Sequence, residues 1–224
     1  MDEYLANFNN NDLTKVVSGF DLKICTQVPV YGTDSGSDQE GQPSEHPSLP
    51  ILNTVSDGEM LEFGNLKFSV QFTPGHTVGH VVYLLDGSPF GTQDSLFSGD
   101  HLFLSGCGRM FEGPAATMLK SLDHVSKIDK NTLIWPGSTI THKYNINIQN
   151  KFLWVKDQRN KRLCTCPSTM EEELSYNPFL RTSQESVLKS LGMVNTETFQ
   201  TPDDRSRSQA LAEIRHQKDN YKYK

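Results

Sequence analysis

Leu96-Phe97-Ser98-Gly99-Asp100-His101-Leu102-Phe103-Leu104-Ser105-Gly106-Cys107-Gly108-Arg109-Met110-Phe111-Glu112-Gly113 is the stretch on which the reading of this chain turns. Its first residues form a short strand that stops at Gly99 and delivers a carboxylate, Asp100. Upstream, Thr73-Pro74-Gly75-His76-Thr77-Val78-Gly79-His80 repeats the device with an imidazole. Pro74 removes a backbone donor and Gly75 permits a sharp turn, so the strand running to Phe72 ends and His76 sits at its tip. A neutral ring nitrogen and a carboxylate presented from neighbouring strand ends suit a hard or borderline cation, with the carboxylate able to bridge two ions. Spacing alone leaves open the plainer reading, in which His76 is a satisfied core or surface histidine.

Working outward, Met60 to Phe63, the pair Gly64-Asn65, and the alternation of Leu66, Phe68, Val70 and Phe72 predict a hairpin with one face buried. Val81 to Leu85, ending at Asp86-Gly87, is a further short strand. Beyond Gly113 the period changes. Pro114 suits a helix start, and Leu119, Leu122, Val125 and Ile128 recur every three residues, so 114–128 is predicted helical. Thr132 to Trp135 returns to a strand that closes at Pro136-Gly137. After that the chain reads as helices: a stripe of Ile148, Phe152 and Val155, a capping box of Ser168 with Glu171, and a last helix capped by Asp203 or Asp204 with Ala210, Leu211 and Ile214 facing inward. Strands first and helices last, without internal repeats, argue for α+β layers rather than a doubly wound sheet. Between them, Thr33 to Pro50 is rich in Gly, Ser, Pro and acids and reads as a loop.

The composition bounds the function. The 224 residues carry 27 acidic and 21 basic side chains, a net charge of −6, so counterion release on nucleic acid and attraction to anionic membrane surfaces are both disfavoured. No apolar run approaches the ~20 residues of a spanning helix. The opening MDEYLANFNNN resembles neither a secretory nor a transit peptide, which predicts a cytoplasmic protein, with a mitochondrial address as the alternative for a longer form. Cys25, Cys107, Cys164 and Cys166 are irregularly spaced and read as reduced thiols.

The TPGH turn, the SGD strand end and the Gly- and Arg-containing segment after it, with VVYLLDG at 81–87, TMLKSLD at 117–123 and CPSTMEEELSYNPFLRT at 166–182, resemble the metallo-β-lactamase superfamily and, within it, the hydroxyacylglutathione hydrolases of the glyoxalase II type. The likeness spans most of residues 60–190. It implies an αββα sandwich over 1–145, here incomplete because its first strands are missing, and a C-terminal helical domain over 146–224. It implies two metal ions, zinc or iron, and hydrolysis of a glutathione thioester by an activated water. His76 matches a metal ligand and Asp100 the bridging carboxylate. Arg109, Arg215 and Lys218 match basic residues that hold glutathione, while Phe111 stands where the family has Tyr. The bottom-up alternative for Arg215 and Lys218 is a solvated basic helix end.

Two departures shape the expectation. The family's T-H-x-H-x-D-H motif does not occur in the sequence. After Trp135-Pro136-Gly137, Ser138 to Thr141 intervene before His142-Lys143-Tyr144, so His142 is a displaced candidate ligand and Tyr144 its accompanying substrate contact. These features imply an N-terminally shortened form, inactive or weakly active, with uncovered sheet edges through which copies self-associate. They set a metal-dependent thioesterase against a non-catalytic isoform that binds glutathione without a complete metal site.

Overall fold

The computed structural model describes residues 55–136, 146–194 and 199–220; the side chains of 146–148 are not described. The predicted hairpin is present as β1 (Met60–Phe63) and β2 (Leu66–Phe72). They pair antiparallel with Phe63 opposite Leu66, around the turn at Gly64-Asn65. The chain continues through β3 (Val81–Leu85), β4 (Ser95–Gly99), β5 (Leu102–Phe103), β6 (Gly106–Cys107), α1 (Ala115–Val125), β7 (Leu133–Pro136), α2 (Ile146–Asn160), β8 (Ser168–Thr169), α3 (Met170–Tyr176), α4 (Glu185–Ser190) and α5 (Asp204–Asp219). Six strands form one sheet in the order β1-β2-β3-β4-β7-β8, while β5 and β6 make a separate two-stranded ribbon. Only β4 and β7 pair parallel, because α1 carries the chain across the sheet between them. The α+β class expected from the order of elements is the class observed.

The sheet is apolar on both faces. Val82, Leu96 and Ile134 pack against Met118, Leu119, Leu122 and Val125 of α1 and Leu211 and Ile214 of α5. Val81, Tyr83 and Leu85 point the other way and join Phe68 and Val70 in a second cluster. Truncating one such buried leucine costs about 2–5 kcal/mol. The buried alternation of β2 ends before Phe72, which is 38% exposed at the strand's end.

Helix α1 starts after Pro114 as predicted and stops at Val125, so Ile128 lies in the following turn, still packed on the same core. Asp203 caps α5 by accepting from the Ser206 amide, and Ala210, Leu211 and Ile214 are buried. Arg207 on α5 pairs with Asp123 on α1 and ties the last helix to the sheet's helical layer.

Two local expectations are corrected. The capping box of α3 is Thr169 with Glu172, one residue later than predicted. Of the stripe on α2, Phe152 is exposed and Val155 only partly buried, Leu153 and Trp154 beside them are exposed, and Lys151 stacks over the Trp154 ring while reaching Glu172. The predicted loop at 33–50 lies outside the described residues, as do His142 and Tyr144. Among the described residues no helix is long and apolar enough to cross a membrane.

Candidate functional site

The end of β2, the start of β3 and the ends of β4 and β7 lie at one edge of the sheet, since β2 to β4 alternate in direction and β7 runs parallel to β4. The Thr73–His80 turn closes there: the Thr73 amide donates to the His80 carbonyl and the Gly75 amide to the Thr77 carbonyl. Gly75 has a φ of 152°, and a Cβ there would come within 2.9 Å of the Met118 backbone on α1. Only glycine lets the turn seat on the helix. Ser121, also on α1, fastens the turn by donating to the Pro74 carbonyl at 2.7 Å.

The turn places His76, 7% exposed, opposite Asp100 at the tip of β4. His76 Nδ1 lies 2.8 Å from the Arg109 carbonyl oxygen. That oxygen only accepts, so Nδ1 carries a proton and Nε2 is the nitrogen turned toward the site. Nε2 in turn stands 3.4 Å from Asp100 Oδ2. Two ligands of one tetrahedral cation, each ~2.0–2.1 Å from it, lie about 3.3 Å apart. Gly108 makes this closure possible, since a Cβ at that position would collide with the Asp100 carbonyl and press on His76 Nδ1. The Phe111 amide donates to the His76 carbonyl, and the Phe111 ring packs edge-on to the imidazole at 5.1 Å.

Behind His76 runs a row of imidazoles that spacing did not single out. His80 lies 6.0 Å from His76 and His101 5.9 Å from His80, centre to centre. Both are fully buried. Burial, with His76 beside it, lowers the His80 pKa to about 4, and burial, with His80 beside it, lowers that of His101 to about 3. His80 Nδ1 bonds Thr73 Oγ1 at 2.8 Å, while among the described residues His80 Nε2 and both His101 ring nitrogens lack a well-formed hydrogen bond, the Ser121 backbone beside His101 only partly offsetting its burial.

The predicted cations converge on a residue the sequence reading missed. Arg215 binds Asp219 through Nε and Nη2 and the Cys107 carbonyl through Nη1 at 2.9 Å. Arg109 Nε approaches the same Asp219 carboxylate at 3.3 Å. Lys218 Nζ lies 3.5 Å from the Cys107 carbonyl, and burial, then Arg215, lowers its pKa to about 8. The solvated helix end is thus the wrong description of Arg215, which is only 7% exposed. Arg109 is the bridge between the two groups, its carbonyl on His76 and its guanidinium on Asp219. Cys107 is no nucleophile here, because burial pushes its thiol up to about 12. The i,i+4 spacing of Arg215 and Asp219 was the available signal for the second group.

A family model described as hydroxyacylglutathione hydrolase C-terminus matches residues 138–221. A hydroxyacylglutathione hydrolase-like protein of Gallus gallus is 32% identical over 214 residues, covering 85% of this chain and 71% of its own length. The cytoplasmic hydroxyacylglutathione hydrolase of Arabidopsis thaliana is 34% identical, over 76% of this chain and 66% of its own length. That of Photobacterium profundum is also 34% identical, over 80% and 69%. Among solved structures, ETHE1 from Myxococcus xanthus matches at 25% identity and a TM-score of 0.42, over 72% of this chain and 58% of that one. The chain therefore spans from 63% to 74% of the length of these and similar relatives. With identities above 30% sustained over more than two thirds of whole relatives, the chain belongs to the hydroxyacylglutathione hydrolase family.

Proposed function

We propose that this protein is a metal-dependent thioester hydrolase acting on glutathione thioesters, with His76 and Asp100 among the ligands of its two metal ions, zinc or iron. The observation that carries the reading is the orientation of His76: its Nδ1 donates to the Arg109 carbonyl and its Nε2 faces Asp100 at 3.4 Å. A backbone carbonyl holding the far nitrogen is the usual support of a metal-ligating histidine. Among the described residues no group of three or more His, Cys, Asp or Glu is close enough to hold a metal, so His76 and Asp100 need further ligands to make a site. His142 is proposed as a further ligand and Tyr144 as a substrate contact. Bound there, such ions polarise a carbonyl and bring the pKa of a water toward 7.

The chain's own residues have separable tasks. Asp100 supplies a carboxylate at the reacting edge, and His76 is oriented by the bond from its Nδ1 to the Arg109 carbonyl. Lys218, half-buried, and Arg109, exposed, are placed to meet the carboxylates of glutathione, whereas Arg215 mainly holds the Cys107 carbonyl and Asp219. Phe111 offers an apolar ring, without the hydroxyl of a tyrosine, beside His76. The test is hydrolysis of an S-(2-hydroxyacyl)glutathione by the chain loaded with zinc or iron. Turnover that disappears on chelation and in His76→Ala and Asp100→Asn supports the proposal. Glutathione binding without any metal-dependent turnover would support the non-catalytic isoform instead.

A further inference from the structure

Helix α3 brings a carboxylate into the core with no cation to meet it. Glu173 is fully buried, yet both its oxygens are matched: Oε2 accepts from the Ser105 amide at 2.8 Å and from Asn177 Nδ2 at 2.9 Å, and Oε1 accepts from the Ser168 and Tyr176 hydroxyls at 2.8 Å each. Asn177, equally buried, spreads its amide further, to the Gly106 carbonyl at 3.0 Å and the Phe103 carbonyl at 3.3 Å. Arg215 adds the Cys107 carbonyl. Four successive polar groups of one short segment, Phe103 O, Ser105 N, Gly106 O and Cys107 O, are thus gripped by side chains that lie 68 or more residues away.

That segment is the β5–β6 ribbon, and it does not hold its shape unaided. Each strand has two residues, far short of what an isolated ribbon needs. At its tip Ser105 has a φ of 60°, a left-handed conformation that costs a non-glycine residue of order 1 kcal/mol or more unless its surroundings impose it. The Ser105 amide that this conformation turns inward is the one Glu173 accepts. Two residues past Cys107, the same segment presents the Arg109 carbonyl to His76 Nδ1, with Gly108 pressed against Asp100 and His76 between them.

We infer that Glu173 and Asn177 are positioning residues for His76: by clamping the 103–107 ribbon they fix the Arg109 carbonyl and, through it, the tautomer and direction of the imidazole. The inference rests on the reading of His76 as a site residue, and its test uses neither metal nor substrate. A carboxylate suits the task better than an apolar side chain, which would leave the Ser105 amide and the Ser168 and Tyr176 hydroxyls without the acceptor they share.

The readout is the His76 side chain in long-range ¹H–¹⁵N spectra of the full chain without added metal, alongside exchange of the Ser105 amide. The native protein should show a single Nδ1–H tautomer for His76. Glu173→Gln should keep it, since the new carbonyl can accept from Ser105 and Asn177 while the Ser168 and Tyr176 hydroxyls turn to accept from its NH₂. Glu173→Ala should give a mixture containing the Nε2–H form and at least ten-fold faster exchange at Ser105. Asn177→Ser, which releases the Phe103 and Gly106 carbonyls but spares three of the four donors to Glu173, should do the same more weakly, and it decides the matter if Glu173→Ala does not fold. A folded variant of either kind that retains the pure Nδ1–H signature overturns the inference and leaves Glu173 a structural residue only. Loss of the signature in Glu173→Gln would overturn the mechanism by showing that charge rather than geometry matters. None of these outcomes bears on whether the loaded protein hydrolyses thioesters.

Discussion

Two buried polar regions, one around Glu173 and one around His80 and His101, are built on opposite terms. Around Glu173 each carboxylate oxygen has two donors, and the donors themselves belong to the elements being joined. Around His80 and His101 three ring nitrogens have no well-formed hydrogen bond among the described residues, and burial keeps both rings neutral with pKa values of about 4 and 3. A matched buried group joins elements, because removing it strands every partner; an unmatched one adds little to stability and is kept for another reason. Here the unmatched row stands directly behind His76. Two neutral imidazoles there add no positive charge to compete with a cation at the sheet edge.

The comparison can be broken at its strongest point first. Glu173→Ala takes the acceptor from two hydroxyls and the Ser105 amide, and one of its acceptors from the Asn177 amide, and should lower unfolding free energy by about 3–5 kcal/mol in urea titrations. A loss under 1 kcal/mol would mean that the network is not a join. The acid response is the next largest effect. His80 and His101 have folded pKa values below the unfolded 6.5, so the unfolded chain binds protons that the native chain refuses. Stability from these groups is therefore present above pH 6.5 and lost as pH falls toward 4 and 3, at up to 1.36 kcal/mol per pH unit for each. Between pH 6.5 and 5 that is about 2 kcal/mol per histidine. Glu173 works the other way, because burial raises its pKa, so the cleaner measurement is a difference. The loss on going from pH 7 to 5 should be about 2 kcal/mol smaller in His101→Leu than in the native chain. At pH 7 itself, His101→Leu should change stability by less than about 1 kcal/mol, since no well-formed hydrogen bond is given up among the described residues.

What the sequence disclosed follows the same division between local and long-range forces. Strands β1 to β4, the seat of α1 behind Pro114 and the cap at Asp203 are local consequences of period, proline and capping chemistry, and each was legible. So was the meeting of His76 with Asp100, because both stand where a strand is forced to end. The capping box was placed one residue early because Ser168-Thr169-Met170-Glu171-Glu172 offers the pattern twice. The structure chooses Thr169 because the Ser168 hydroxyl is drawn to Glu173. The stripe on α2 failed for the reverse reason: apolar spacing shows that a helix has a face, and cannot show that anything covers it. Glu173 was invisible because its ribbon contacts, to Ser105 and through Asn177, lie 68 to 74 residues away. For Arg215 the basic tail beside it left a solvated helix end open as the alternative to a glutathione contact, yet its position beside Ile214 and one turn past Leu211 directs it inward to Cys107.

The smallest effect tests the cation group, where matching is incomplete. Asp219 engages Arg215 and Arg109, and its carboxyl is held below the usual range chiefly by the Arg215 hydrogen bond, so that pairing persists across neutral pH. Lys218 has the weak contact to the Cys107 carbonyl and a cation–π approach to the Phe103 ring at 5.5 Å, and burial brings its pKa to about 8. Its charge is therefore present below that pH and lost as pH rises through it, the reverse of the histidine window. The carboxylates of a glutathione derivative stay ionised throughout, so only the protein's side of the contact titrates. A half-exposed charge pair is worth ~0.5–1 kcal/mol, which corresponds to an affinity about two- to five-fold lower at pH 9 than at pH 7. Calorimetry with S-methylglutathione avoids ionisation of the free thiol. Lys218→Met, which keeps the stem against Phe103, should bind at pH 7 as weakly as the native chain does at pH 9 and should show a flatter profile between them. If the variant keeps the native slope, the titrating group is the ligand's amine, and Lys218 does not meet the carboxylate.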